Sequence, residues 1–130
     1  MELKLCLGVV GSRRRNSSRD KLILREFLRR AKEKFPGLTL VSGGCPKGAD
    51  RFAEELAQEL NLLIKIHYPD KNKLPPNPEK YHFAQINYAR NTFIAEDCEV
   101  LVALVADDRK GGTEDTIKKA QKMGKKVILL

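Results

Sequence analysis

The amino-acid sequence predicts an α/β fold, a three-layer Rossmann-like sandwich with a five-stranded parallel sheet in the order 3-2-1-4-5. Five short apolar segments alternate with four longer amphipathic ones, which is the pattern of strands joined by helices. The strand segments are apolar at nearly every residue, as expected when helices cover both faces of a parallel sheet. A length of 130 residues fits one domain, and we place its bounds at residues 1–130.

The first half of the chain is predicted to run strand, helix, strand, helix. These predicted elements are residues 3–10, 18–34, 38–41 and 46–61. Ser17 and Asp20 resemble a capping box at the start of the first helix, and Pro36-Gly37 ends that helix. The second helix has a clean apolar stripe, formed by Ala49, Phe52, Ala53, Leu56, Ala57 and Leu60.

The second half continues the alternation and adds the last three strands. Its predicted elements are residues 62–67, 77–95, 100–105, 113–123 and 125–130. Residues 68–78 are rich in proline, lysine and asparagine, which predicts a loop, and Asn77-Pro78 is a favourable start for the next helix. Crossovers between parallel strands are right-handed, which favours the strand order 3-2-1-4-5.

The positive charge is concentrated at the start of the chain. The sequence has 25 Lys and Arg against 17 Asp and Glu, a net charge of +8. Residues 1–34 hold 11 of those basic and 4 of those acidic residues, so they account for +7. The basic residues of the first helix are Arg19, Lys21, Arg25, Arg29, Arg30, Lys32 and Lys34. Such a stripe is either a solvated helix face or a surface that binds nucleic acid.

The chain has three widely spaced cysteines, Cys6, Cys45 and Cys98, and no Cys-x-x-Cys pair. This pattern predicts neither a metal site nor a disulfide framework, and free thiols indicate the cytoplasm. The longest apolar run, Val100–Ala106, has the length of a buried strand and not that of a membrane span. We therefore expect a cytoplasmic protein that contacts no membrane and uses no metal or cofactor.

Three glycine-bearing loops follow predicted strands 1, 2 and 4, and each leads into a helix. Open parallel sheets bind ligands at the carboxyl ends of the strands where the strand order reverses, here between strands 1 and 4. Glycine permits close backbone approach, and the free N–H groups of a helix start attract anions. The predicted ligand-binding residues are Gly11, Ser12 and Arg13, then Ser42, Gly43, Gly44, Gly48 and Asp50, then Gly111, Gly112 and Thr113.

Each loop taken alone also fits a purely structural role, because strand-to-helix turns often need glycine for the turn and Ser or Thr for the cap. Three such loops converging on one crevice favour a phosphate or nucleotide site. The sequence has neither a G-x-G-x-x-G motif nor a G-x-x-x-x-G-K-[ST] motif, which argues against a dehydrogenase and a P-loop NTPase. For Asp50 two roles stay open, binding a ribose hydroxyl or favouring the helix start by its charge.

Four blocks of the sequence together resemble the SLOG superfamily: Gly11-Ser12-Arg13, Ser42-Gly43-Gly44-x-x-x-Gly48-Ala49-Asp50, Arg90-Asn91 and Gly112-Thr113. That superfamily groups the DNA-processing protein A domain with the Lonely Guy enzymes, and its small stand-alone YspA-like branch of unknown function is the most similar. The resemblance covers nearly the whole chain, and the second block is its most specific part. It implies a Rossmann-like domain that binds a nucleotide or a nucleotide derivative such as an ADP-ribose-like molecule, often as a homodimer.

The same resemblance implies candidate catalytic residues. Lonely Guy enzymes cleave nucleoside monophosphates with an arginine on the helix before strand 4 and a glutamate three residues after a Gly-Thr pair. Arg90 matches the arginine, whereas Thr116 occupies the glutamate position, so Glu114 and Asp115 are the candidate carboxylates. Glycosidic cleavage benefits from such a carboxylate because it stabilises the oxocarbenium-like transition state. Asn91 is predicted to reach the ligand or a partner subunit beside Arg90.

Three functions follow from these observations. The first, which we predict, is a nucleotide sensor or binding module for a nucleoside monophosphate or an ADP-ribose-like ligand. The second is a nucleoside 5′-monophosphate phosphoribohydrolase, an N-glycosidase. The third is single-stranded nucleic-acid binding through the basic first helix, as in DNA-processing protein A. Single-strand binders stack bases on aromatic side chains, and the first helix has only Phe27 and Phe35, both on its apolar stripe.

Overall fold

A computed structural model describes residues 3–130; Met1 and Glu2, the first residues of the predicted domain 1–130, lie outside the described residues. The strands are β1 (Lys4–Gly11), β2 (Gly37–Ser42), β3 (Leu63–Ile66), β4 (Val100–Leu104) and β5 (Lys126–Leu129). The α-helices are α1 (Ser18–Lys34), α2 (Ala49–Glu59), α3 (Lys80–Asp97) and α4 (Gly112–Lys122). A 3₁₀ turn at Lys71–Lys73 lies between β3 and α3.

The sheet has the order β3-β2-β1-β4-β5, with every neighbouring pair parallel, and this confirms the predicted α/β topology. β1 lies at the centre, where Gly8 pairs with Val41 of β2 on one side and with Leu101 of β4 on the other. Gly11, the last residue of β1, pairs with Leu104, the last residue of β4. The strand order therefore reverses between β1 and β4, and a crevice opens at their carboxyl ends.

Two apolar cores, one on each face of the sheet, hold the three layers together. The core beneath α1 and α2 has as its largest helical members Leu24, Leu28, Phe52 and Leu56, each at most 1% exposed. The helical members of the core beneath α3 and α4 include Ile94, Ala95, Ile117 and Ala120. Val9 and Val10 of β1 belong to opposite cores, because successive strand side chains point to opposite faces.

α1 begins at the capping box that the sequence predicts. Ser17 Oγ accepts a hydrogen bond from the Asp20 N–H at 3.1 Å, and Asp20 Oδ2 accepts one from the Ser17 N–H at 3.2 Å. Arg15 Nε donates to Asp20 Oδ1 at 2.6 Å, and Arg15 Nη1 donates to the carbonyls of Val105 and Leu130. The start of α1 is thereby tied to the residues that follow β4 and β5.

α2 passes the end of β1 at very short range. A Cβ atom built on Gly11 would lie 2.6 Å from the Cβ of Ala49 and 3.0 Å from the Cβ of Leu104. Real Cβ atoms essentially never approach so closely, so glycine at this position lets the first residue of α2 lie directly against the sheet. The start of α2 consequently borders the crevice.

The start of α3 differs from the prediction. The helix begins at Lys80 and not at Pro78, because Glu79 has an extended backbone (φ −98°, ψ 172°) and acts as the N-cap residue. The Glu79 N–H donates to Nδ1 of His82 at 2.9 Å, a contact that fixes the first turn. The proline-rich segment before it is therefore longer than expected, and it includes the 3₁₀ turn.

The Asp20 carboxylate generates a pH-dependent prediction. Burial tends to raise the pKa of Asp20, but the hydrogen bonds from Arg15 and Ser17 outweigh it, and the pKa is lowered. A lowered pKa stabilises the fold above the unfolded-state value of about 3.9 and stops doing so as the pH falls through the native value. We expect Asp20→Asn to lower the free energy of unfolding by about 1–2 kcal/mol at pH 7.

Urea unfolding between pH 7 and pH 2.5 measures this difference. The difference in the free energy of unfolding between the wild-type protein and Asp20→Asn should persist down to about pH 4 and narrow below it. Glu96→Gln, which changes an exposed carboxylate of α3, is the matched control and should show no such difference. A difference in the free energy of unfolding that is constant from pH 7 to pH 2.5 would contradict a lowered pKa of Asp20.

Candidate functional site

A cleft opens where the sheet topology predicts it, at the carboxyl ends of β1 and β4. Its first arm is a cavity of about 520 Å³ between the loop after β1, the loop before α4, and α3. The predicted site residues that line this arm are Gly11, Ser12, Arg13, Asp50, Arg90, Asn91, Gly111, Gly112 and Thr113. Predicted residues from four separate parts of the sequence, 11–13, Asp50, 90–91 and 111–113, thus line one cavity.

A second arm continues from the first toward the carboxyl end of β3. This cavity of about 490 Å³ is lined by Gly43 and Gly44 and by part of the segment between β3 and α3. Four residues border both arms and mark their junction: Arg13, Cys45, Asn87 and Arg90. The two arms therefore adjoin as parts of one cleft, and two of the four residues at their junction are arginines.

Gly43 is the point at which Arg90 and Asp50 approach each other. A Cβ atom built on Gly43 would lie 2.7 Å from Arg90 Nη1 and 3.0 Å from Asp50 Oδ2. Arg90 Nη1 donates a hydrogen bond to the Gly43 carbonyl, and Asp50 Oδ2 accepts one from the Cys45 N–H at 3.0 Å. The carboxylate and the guanidinium flank the glycine backbone without forming an ion pair with each other.

Burial affects the protonation of both groups. It raises the pKa of the Asp50 carboxyl, and the Cys45 hydrogen bond and the charge of Arg90 offset this rise only in part. It lowers the pKa of the Arg90 guanidinium, and the nearby charge of Asp50 opposes that change. The positive charge of Arg13 has a smaller effect in the same direction, so Arg13 and Arg90 lie near enough to act on each other. An anion placed near both guanidinium groups would favour their charged forms.

Asn91 positions Arg90 and joins it to α4. Its side chain is buried, with 6% exposure, and its Oδ1 accepts a hydrogen bond from Arg90 Nε at 2.9 Å. Its Nδ2 donates to Asp115 Oδ2 at 3.2 Å and to the Gly112 carbonyl at 3.4 Å. Asn91 borders the cavity, but all of these polar contacts are made within the protein, so it acts on the site through Arg90 and the start of α4.

The two helices that begin at the cleft have glycine N-caps. α2 follows Gly48 (φ 70°) and α4 follows Gly111 (φ 121°), and neither glycine can supply a side-chain cap. A positive φ of this kind strains any residue that carries a Cβ, which accounts for both glycines. α1, which begins away from the cleft, has the full Ser17 capping box instead. First-turn N–H groups at the cleft are thereby left for an acceptor from outside the helix.

Two of the predicted loop residues lie beneath the cavity surface. Ser42 is fully buried, because alternation along β2 turns its side chain toward the face that α2 covers; its hydroxyl lies near the Asp50 carboxyl and partly offsets the rise in that group's pKa. Gly48 is also buried, and its N–H donates to Asn16 Oδ1 at 2.8 Å. A Cβ atom on Gly48 would lie 3.0 Å from the Ser12 carbonyl oxygen, so this glycine joins two loops.

The two candidate carboxylates of α4 are engaged in ion pairs and do not line the cavity. Glu114 receives two hydrogen bonds from Arg109, at 2.8 and 2.9 Å. Asp115 lies 2.9 Å from Lys119 Nζ and also accepts the Asn91 hydrogen bond. Of the carboxylates predicted for the site, Asp50 is the one that borders the first arm.

Sequence reasoning missed several residues that line the cleft. Ala84, Asn87 and Tyr88 line the first arm from α3, and Tyr68 lines the second arm from the segment after β3. For Ala84 and Asn87 the only signal in the sequence is their spacing along α3. They lie six and three positions before Arg90, and residues at that spacing share the same general face of a helix. Nothing in the loop sequence marks Tyr68, because loop residues have no periodicity.

The basic stripe of α1 is partly neutralised by α2. Arg29 is paired with Glu26 and Glu33 of its own helix, as the sequence allows. Two further pairs cross between helices, Lys21–Glu55 at 3.3 Å and Arg25–Glu59 at 3.2 Å. The stripe therefore carries less free positive charge than the α1 sequence alone indicates.

The part of the chain that the structure describes, residues 3–130, shows no group of three or more His, Cys, Asp or Glu side chains that could hold a metal ion. None of its helices combines the length and apolar character that crossing a membrane requires. Cys45 borders both arms of the cleft, whereas Cys98 is buried, and its burial raises the pKa of its thiol.

Comparison with known proteins identifies a structural neighbour. The chain matches no family model and no curated protein. Among solved structures it is similar to the molybdenum cofactor carrier protein of Chlamydomonas reinhardtii, with a TM-score of 0.67 and 22% sequence identity. The match covers 97% of this chain and 76% of that one. At this identity the similarity is one of fold; it supports the Rossmann-like architecture, and membership of the SLOG superfamily stays a prediction.

The Asn91 contacts generate a stability prediction. Asn91→Ala removes the acceptor of Arg90 Nε and the donor to Asp115, and it leaves polar groups unpaired at a half-buried site. We expect the free energy of unfolding to fall by about 1–3 kcal/mol in urea denaturation. Thr92→Ala is the matched control, because the Thr92 hydroxyl bonds only to the Tyr88 carbonyl of its own helix. Equal losses for the two variants would show that the network contributes nothing beyond local helix structure.

Proposed function

We propose that this protein is a binding module for a nucleotide or a phosphate-bearing nucleotide derivative, either a nucleoside monophosphate or an ADP-ribose-like molecule. The ligand occupies the cleft at the carboxyl ends of β1 and β4. One observation carries the proposal: the glycine-capped start of α4 and two arginines, Arg13 and Arg90, border the same cavity. Each of these features favours an anion.

The phosphate is best accommodated between Arg13 and the start of α4. Arg13 is exposed at the cleft and makes no ion pair or hydrogen bond within residues 3–130. Opposite it, Gly111, Gly112 and Thr113 line the same arm at the first turn of α4. A guanidinium offers a planar fork of donors that matches a phosphate, and the helix start adds backbone N–H groups.

The ribose is best accommodated beside Gly43, between Asp50 and Arg90. The carboxylate accepts hydrogen bonds from hydroxyl groups and the guanidinium donates them, so a vicinal diol complements both. The two groups are not paired with each other, and each retains bonding capacity toward the cavity. This supports the ribose-binding role among the two that the sequence left open for Asp50.

The structural neighbour is consistent with the coarser form of this proposal. That protein is named as a carrier of the molybdenum cofactor, so it is a protein of this fold that holds a small molecule. For the present chain the identity of the ligand rests on the residues of its own cleft. Carriage or sensing, without chemical change of the ligand, is the role that we propose.

The N-glycosidase alternative is tested with the same ligands. Incubation with AMP followed by chromatography for free adenine measures it directly. Cleavage that is lost in Asp50→Asn and in Arg90→Lys, but kept in Glu114→Gln, would replace the binding-module proposal by a phosphoribohydrolase that uses Asp50. Cleavage lost in Glu114→Gln or Asp115→Asn would restore the carboxylates that the family resemblance implies.

Nucleic-acid binding and homodimer formation remain predictions. Arg19, Arg30 and Lys34 of α1 make no ion pair or hydrogen bond within residues 3–130, and they are the cations of the stripe that an oligonucleotide would contact first. For a dimer, α3 exposes four aromatic side chains, Tyr81, Phe83, Tyr88 and Phe93. Oligonucleotide retention at 50 mM and 200 mM salt tests the first, and sedimentation equilibrium tests the second.

The central test is the affinity of the protein for AMP and ADP-ribose, measured by isothermal titration calorimetry. Arg13→Ala should weaken binding about 10- to 100-fold, because a hydrogen bond to a charged group is lost (about 1.5–3 kcal/mol). Arg30→Ala makes the same change of net charge on an exposed face of α1 and should leave the affinity unchanged. The absence of a heat signal with every nucleotide tested would overturn the proposal.

A further inference from the structure

The ring of Tyr68 packs against a glycine in the second arm of the cleft. A Cβ atom built on Gly44 would lie 2.5 Å from Tyr68 Cε1 and 2.6 Å from Cδ1, so the ring occupies the space that a side chain at Gly44 would need. Gly44 has a φ of 74°, a conformation that glycine adopts without strain. Tyr68 is nevertheless 64% exposed. One side of the ring therefore contacts the backbone at Gly44, and most of the remaining ring surface is exposed to solvent.

Tyr68 differs in this respect from the tyrosine of the first arm. Tyr88 also lines the cleft, but Lys119 Nζ lies 5.7 Å from the centre of its ring, so a cation already covers it. Tyr68 has no aromatic or cationic partner within residues 3–130. An exposed ring that is held by backbone on one side is a platform on which a planar ring can stack.

The platform is one residue away from the Arg90 guanidinium. Arg90 contacts Gly43 and Tyr68 contacts Gly44, and consecutive Cα atoms are about 3.8 Å apart. A group attached to a sugar beside Gly43 is therefore within reach of Gly44 and Tyr68. Arg13 and Arg90 line both arms, so the phosphate position and the platform are bordered by the same two side chains.

Polar groups border the same arm and are suited to the edge of a heterocycle. Asp70, Lys71 and Asn72 line the second arm, and the 3₁₀ turn holds them in place. Asp70 Oδ1 accepts a hydrogen bond from the Asn72 N–H at 3.1 Å, which fixes that turn. The carboxylate, the ammonium group and the amide present both donors and acceptors beside the ring of Tyr68.

We infer that the second arm is a base-binding subsite, in which Tyr68 stacks on the nucleobase of a nucleotide whose phosphate lies in the first arm. The inference rests on the proposed function, and it extends the site to the segment between β3 and α3. The junction of the two arms at Arg13 and Arg90 then lies between the phosphate position and the base. Gly44 belongs to the subsite because its missing side chain makes room for the platform.

Calorimetry with matched ligands separates the subsite from the phosphate site. AMP, GMP and CMP carry a base, whereas ribose 5-phosphate has the same phosphate and sugar without one. We expect the wild-type protein to bind at least one of the three nucleotides about 10-fold more tightly than ribose 5-phosphate. Tyr68→Ala should remove that preference and leave the affinity for ribose 5-phosphate unchanged, and Tyr68→Phe should preserve it.

Tyr81→Ala is the control for loss of an exposed tyrosine, since Tyr81 lies on α3 outside both arms, and it should leave the preference intact. Equal affinities of the wild-type protein for the nucleotides and for ribose 5-phosphate would overturn the subsite and leave the phosphate site standing. A preference for nucleotides over ribose 5-phosphate that survives in Tyr68→Ala would overturn the subsite as well. If neither ADP-ribose nor any of the four compounds binds, the proposed function fails, and the subsite fails with it.

Discussion

The hydrogen bond from Arg90 to the Gly43 carbonyl is the contact on which the cleft depends. It links α3 to the loop between β2 and α2, and Asn91 carries the connection on to Asp115 and the Gly112 carbonyl of α4. Elements from both faces of the sheet are thereby joined across the carboxyl ends of its strands. This bridge adds to the apolar cores beneath the cleft and to the contacts that Arg14, Arg15 and Asn16 make between neighbouring loops.

The charges of the cleft are incompletely paired, in contrast to those around it. Arg14 is bound to Asp108 and Arg109 to Glu114, each through two hydrogen bonds. At the junction of the two arms, Arg13 is exposed and has no partner within residues 3–130, and Arg90 is hydrogen-bonded only to uncharged groups. A partly buried charge without an ion pair, such as that of Arg90, costs stability unless a ligand offsets it. This difference from the paired arginines nearby is the physical basis for placing an anion at the junction.

The sequence predicted the fold well because apolar periodicity and capping signals are local. The five strands, the order of the sheet and the Ser17–Asp20 box all follow from residues close together in the chain. Pairing between elements was harder to foresee: Glu55 and Glu59 neutralise part of the α1 stripe from a different helix. The burial of single residues was equally hard to predict. The sequence indicates that Ser42 offers its hydroxyl from a loop, but Ser42 is the last residue of β2 and is buried beneath α2.

The glycine caps of α2 and α4 connect the site to the architecture of the whole domain. α2 belongs to one outer layer of the sandwich and α4 to the other, and each places a first-turn residue in the same cavity, Asp50 from α2 and Thr113 from α4. A nucleotide seated there would contact both outer layers at once, across the edge of the sheet that separates them. Occupancy of the cleft would then set how firmly the two layers are coupled, and this coupling would give a carrier or sensor a mechanical difference between its filled and its empty state.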